Sequence, residues 1–167
     1  MGEGITNNES PDTRAATRAT RAGGTRAAGG GTWRVDGLVT VGFWVAAGFN
    51  VVGMLVSTDG LTNEVLFSVD PLFSRGGCLA VLCWGLAFAA QARSWRVAPA
   101  VSAAFAVEKS FYAAWWANWY RAHGSDLPAL TAADPSVASF FRVYGPADAA
   151  FAVFFALAAW RAARRSE

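Results

Sequence analysis

Two adjacent residues of opposite charge, Glu108 and Lys109, lie inside an otherwise apolar run, FAVEKSFYAAWWANWYR, residues 105–121. Tyr112 follows Glu108 by one helical turn and Trp116 follows by another, so on a helix these groups share a face. A carboxylate beside a phenol can act as a general base, and an amine withdrawn from water can act as a nucleophile or carry a Schiff-base group. The same pair can also hold an ionic ligand, or fix helix register as a buried ion pair. Asp148, in the first turn after Pro146, is the expected partner of Lys109. Glu108 is expected to turn to Asn50 and to one outer arginine, Arg75 or Arg142, with Tyr144 close by. Glu108, Lys109, Tyr112, Trp116, Asp148, Asn50, Arg75, Arg142 and Tyr144 therefore form the candidate ligand pocket. No residue is expected to be catalytic, because no nucleophile–base pair or phosphate-binding loop accompanies them. No metal site or cofactor is expected either. His123 is the one histidine, and Cys78 and Cys83 are five apart without a CxxC.

These side chains need a scaffold, and its outline is legible in the charge pattern. From Gly37 to Thr58 there is no charged residue, and as a helix this stretch reaches roughly 33 Å, enough for a bilayer core. A second uncharged stretch runs from Gly76 to Ala92, preceded by Asp70-Pro71, a suitable cap and first helical position. A third runs from Val97 to Tyr120, interrupted only by Glu108-Lys109. A fourth begins at Pro146. The expected fold is all-α: an integral membrane four-helix bundle made of two helical hairpins, with spans at about 36–57, 71–93, 97–120 and 144–163. The transmembrane domain covers 35–165. Residues 1–34, rich in Arg, Ala, Thr and Gly, read as a disordered tail. A soluble bundle fits poorly, since the first helix has no polar face. Gly145-Pro146 is expected to bend or restart the chain, leaving 134–144 as a short helix lying over Lys109 at the outer surface.

The third span divides into two faces. Val101, Phe105, Glu108, Lys109, Tyr112, Trp115, Trp116 and Trp119 share one; Ala106, Ser110, Ala113, Ala114 and Ala117 share the other. Bare charges in lipid would cost roughly 2.5–3.5 kcal/mol each, so the large face is expected to point into the bundle. The small face suits a homo-oligomer or a partner membrane subunit.

Ten of the fourteen basic residues lie in the tail, the Arg93–Arg96 turn and the Arg161–Arg165 end. The positive-inside rule then puts both termini in the cytoplasm, without saying which membrane holds the chain. The same rule makes the basic tail a membrane feature, so the lipid bilayer and not nucleic acid is the expected partner. A faint repeat, in which Asn50, Asp59, Asp70-Pro71 and Arg75 echo Asn118, Asp126, Asp134-Pro135 and Arg142, hints at two related halves. Functionally, the pattern favours a small-ligand binding or transport module with a charged, aromatic-walled pocket open to the non-cytoplasmic side. The alternative is a structural or accessory membrane subunit whose ion pairs serve assembly. An intramembrane enzyme is the weaker third reading.

Overall fold

Long apolar runs punctuated by Asp-Pro and Gly favour helix throughout. The computed structural model describes residues 32–165, among which there are helices and no strand. The first helix, α1, starts as Thr32–Gly48, passes through a π-helical stretch at Phe49–Gly53, and ends as Met54–Ser57. A turn with three consecutive left-handed residues, Asp59, Gly60 and Leu61, leads to the short α2, Glu64–Val69. A 3₁₀ turn, Pro71–Phe73, precedes α3, Arg75–Gln91. The long α4, Pro99–His123, is followed by a 3₁₀ turn, Gly124–Asp126, then α5, Leu127–Ala133, and α6, Pro135–Ala163. The expected disorder of the tail falls outside the described residues, except that α1 already begins at Thr32. The packing below lies within the compact unit that begins at Asp36.

Local chemistry sets the helix starts. Asp134 accepts from the backbone N–H groups of Ser136 and Val137, with Pro135 in the first turn of α6, where a missing N–H costs nothing. Asp70 caps only the 3₁₀ turn, and Ser74 caps α3 itself, so α3 starts four residues later than Asp70-Pro71 suggests. The other departure is at Pro146. The chain neither restarts nor lays 134–144 flat across the outer surface: α6 runs straight through Pro146 as one 29-residue helix. A proline breaks a helix by removing a donor and crowding the preceding turn, but packed neighbours can hold the helix together. Here α4 lies alongside, and the Trp116 indole ties it to α6 by donating to the Phe141 carbonyl at 2.7 Å; the carbonyl that Pro146 itself leaves without a helical N–H is that of Arg142. Gly145 makes room for the indole, because a Cβ at that position would overlap its ring.

Four long helices, α1, α3, α4 and α6, share one interior, with α4 packed most extensively along α6. That interior has three levels. One apolar cluster holds Phe43, Phe88, Trp95, Phe105 and Phe155. The other holds Met54, Phe73, Tyr112, Trp119, Phe141 and Tyr144. Between them in the order of every long helix lies a buried polar layer: Asn50 of α1, Glu108 and Lys109 of α4, and Asp148 of α6. α3 crosses this level at Gly85, where an added Cβ would sit 2.7 Å from Val51 and 3.0 Å from Asn50. The missing side chain thus lets the π-helical stretch approach α3 closely enough for Asn50 to donate to the Val81 carbonyl at 3.3 Å.

Each end of the helix group carries its own polar clasp. At one end Asp36 receives Arg96 at 3.3 Å, Arg161 at 3.2 Å and Arg165 at 2.6 Å. At the other, Asn63 donates to Asp134 at 2.8 Å, and the Trp115 indole donates to Asp70 at 3.0 Å. Two helical stretches, Arg34–Ser57 and Pro135–Ala163, are long and apolar enough to cross a membrane, and Arg75–Gln91 is apolar but shorter.

Candidate functional site

The polar layer begins with α4. Its large face is the buried one: Phe105, Glu108, Lys109, Tyr112 and Trp119 are all buried, whereas Ser110, Ala114 and Ala117 are exposed. Val101 and Trp115, assigned to the large face, are partly exposed at 39% and 42%. Lys109 is 2% exposed, so its ammonium must find every partner inside the protein. It donates to Asp148 Oδ1 at 2.7 Å and to Asn50 Oδ1 at 2.9 Å. Rings of Phe88 and Tyr112 lie 5.4 Å and 5.6 Å from Nζ, placing aromatic faces around the rest of the cation. The pairing with Asp148 expected from sequence is therefore present.

Glu108 behaves differently from expectation. Its nearest cation is its own neighbour Lys109, at 3.7 Å, too long for a hydrogen bond, and neither carboxylate oxygen has a hydrogen-bond partner. Asn50 serves Lys109 and the Val81 carbonyl instead of Glu108. The outer arginines are remote for a simple reason: both reach into solvent-facing surroundings. Arg75 pairs with Glu64, with both side chains largely exposed, and its guanidinium lies 5.4 Å over Phe67. Arg142, also exposed, donates to Thr131 at 2.8 Å.

A cavity of about 260 Å³ opens beside this layer. Asn50, Lys109, Tyr112, Tyr144 and Asp148 line it, so five of the nine candidate residues come together there. Glu108, Trp116, Arg75 and Arg142 do not line it. Trp116 instead wedges α4 against α6. Sequence reasoning missed the mouth. Val56 and Ser57 of α1 and Ser136, Ser139, Phe140 and Val143 of α6 form it, with Phe49 and Gly53 of the π-helical stretch deeper in. The i, i+3, i+4, i+7 spacing of Ser136, Ser139, Phe140 and Val143 could have revealed this wall, had 134–144 been read as the start of α6. Val56, Ser136, Ser139 and Val143 are exposed, so the opening lies between the C-terminal half of α1 and the N-terminal half of α6. Tyr144, 3% exposed, lines the cavity, and its buried hydroxyl has no hydrogen-bond partner. Its ring is held by stacking on Phe140 at 4.9 Å and by an edge contact with Phe73 at 4.8 Å.

Chemically, the site offers one cation shared between carboxylates, an orphan phenol, and largely apolar walls. Among the described residues no three His, Cys, Asp or Glu side chains gather in a way that would hold a metal ion. Cys78 is buried and donates to the Phe73 carbonyl at 3.3 Å, while Cys83 is exposed; neither is in a disulfide. Comparison with known proteins leaves the site to speak for itself: no family model matches the chain, and neither curated proteins nor solved structures include a significant match.

Proposed function

We propose that the chain is a multi-pass integral membrane protein whose four long helices form a bundle, and that it binds a small amphipathic or ionic ligand in the cavity between α1 and α6. Support for the bilayer comes from an inverted surface. Val41, Val52, Leu86, Val107, Val153 and Leu157 are more than half exposed, on all four long helices, while Glu108, Lys109 and Asp148 are buried. Water-soluble proteins seldom present so many apolar side chains along every long element. The gathering of basic side chains around Asp36 favours that end as the cytoplasmic one, with the cavity opening in the opposite half. The observation that carries the binding reading is the cavity floored by Asn50, Lys109 and Asp148. Pockets of this kind, apolar with a few convergent polar groups, are the usual form of a small-molecule site.

Filling the mouth tests the idea. Small amphipathic amines, alcohols and acids are screened for a rise in the unfolding temperature of the detergent-solubilised chain, beside a Ser139→Trp variant. The reading expects ligands that stabilise the parent and not the filled variant. It fails if no class stabilises the parent, or if the filled variant responds equally. One observation favours a second reading, an accessory subunit locked by its ion pairs: Lys109 is already satisfied by Asn50 and Asp148. That reading predicts a stable hetero-assembly in native mass measurements and unchanged assembly in Lys109→Met/Asp148→Asn.

A further inference from the structure

The polar layer does not balance its charge. Lys109 carries one positive charge against two carboxylates, Glu108 and Asp148, within 3.7 Å and 2.7 Å. An ionised carboxylate that is buried and lacks every hydrogen-bond donor is a costly arrangement, and Glu108 is 8% exposed with neither oxygen bonded. The layer becomes neutral if one extra positive charge, a proton or a cation, joins it. One group faces the cavity with capacity to receive such a charge: the Asp148 carboxylate, which has only Oδ1 engaged by Lys109. The remaining ionisable groups nearby are Tyr112 of α4, Tyr144 of α6, the Cys78 thiol of α3 and the buried Asp70 carboxylate ahead of α3; α1 contributes the Asn50 amide.

Resting on the binding reading above, we propose that the cavity takes an amphipathic organic ammonium ion, exchanged for one proton. In the empty site Glu108 holds that proton, and the layer is neutral. The incoming ammonium donates to the free oxygen of Asp148. Lys109 then moves about 1 Å to reach hydrogen-bond distance of Glu108, whose O–H bond breaks to release the proton. One positive charge enters and one leaves, and no covalent bond is made to the ligand. Size bounds the guest: an apolar cavity of about 150 Å³ accommodates benzene, so about 260 Å³ suits roughly ten non-hydrogen atoms. The apolar mouth at Val56, Phe140 and Val143 receives the body of the guest.

The test uses 2-phenylethylamine, 2-phenylethanol and phenylacetate, which share shape and differ in charge. The full chain in mild detergent is titrated calorimetrically in two buffers of different ionisation enthalpy. The amine is expected to bind at least about tenfold more tightly than the alcohol or the acid, with close to one proton released per amine. Glu108→Gln abolishes proton release and weakens amine binding. If the alcohol or the acid binds as tightly as the amine, or the amine binds without releasing a proton, the ammonium–proton exchange is wrong and the pocket stands. If none of the three binds, the exchange is overturned together with a pocket for guests of this size.

Discussion

Removing Lys109 should harm the protein more than removing its partner Asp148, and the geometry says by how much. In Lys109→Met, Asp148 loses its cation and Asn50 Oδ1 loses its donor. Breaking a buried pair from one side typically costs about 3–5 kcal/mol. In Asp148→Asn the cation survives, and Glu108, 3.7 Å away, gives up its proton and takes the place of the lost carboxylate. With an effective dielectric constant of about 20, Coulomb energy falls from about 6 kcal/mol at 2.7 Å to about 4.5 kcal/mol at 3.7 Å, a loss of roughly 1.7 kcal/mol. Lys109 can recover part of that by closing on Glu108. The double variant Lys109→Met/Asp148→Asn should be less damaging than the two single effects added, with a coupling of about 1–3 kcal/mol, since each change removes the reason for the other's cost. Equilibrium unfolding of each variant in mild detergent, followed by tryptophan fluorescence, measures all three. The reasoning is refuted if Asp148→Asn is as destabilising as Lys109→Met, or if the two effects simply add.

Two further outcomes concern the ends of the helix group. Asp36→Ala leaves Arg96, Arg161 and Arg165 without their shared acceptor and should cost about 1–2 kcal/mol, discounted for the partial exposure of the arginines, with the parent's advantage shrinking in high salt; unfolding at low and high ionic strength reads both. At the other end, the Asn63 side chain first, and then the backbone N–H groups of Val137 and Ser136, hold the Asp134 carboxyl below its ordinary value of 3.8. The folded state thus binds this proton less readily than the unfolded chain, so the contribution of Asp134 is complete above the ordinary aspartate range and is lost as pH falls through the lowered value. Hydrogen exchange at the start of α6 should speed up over that acid window in the parent, and Asp134→Asn should show a flatter pH response.

The parts of this structure governed by neighbours in sequence were legible before any fold was known. That a helix starts at Asp134-Pro135 follows from local capping chemistry, though not that it continues through Pro146 as α6, and the burial of Glu108, Lys109 and Tyr112 together follows from helical periodicity. Lys109 could be matched to Asp148 because both are charged and at similar depth. What could not be read was which of two adjacent residues Asn50 would face. Glu108 and Lys109 are about 100° apart on α4, and that rotation is set by packing against α6 and not by either residue's own preference. Asp36 was hidden for a similar reason. Arg96, Arg161 and Arg165 look like ordinary basic flanks in the chain, and only folding brings them to one carboxylate. Pro146 misled because its disruptive effect is local, while the packing of α6 against α4, with the Trp116 ring seated on Gly145, is set by a part of the chain far away in sequence.

The π-helical stretch has a consequence for how such a protein can change over generations. A π turn accommodates one more residue than an α turn, so losing a single residue between Phe49 and Gly53 would return α1 to regular winding while the halves on either side keep their facing. The two apolar clusters draw on separate halves of α1 and could each persist with modest repacking. Asn50, however, would lose its aim at Lys109. The scaffold and the polar layer are therefore separately heritable: a three-nucleotide deletion could silence the site while sparing the helices that carry it.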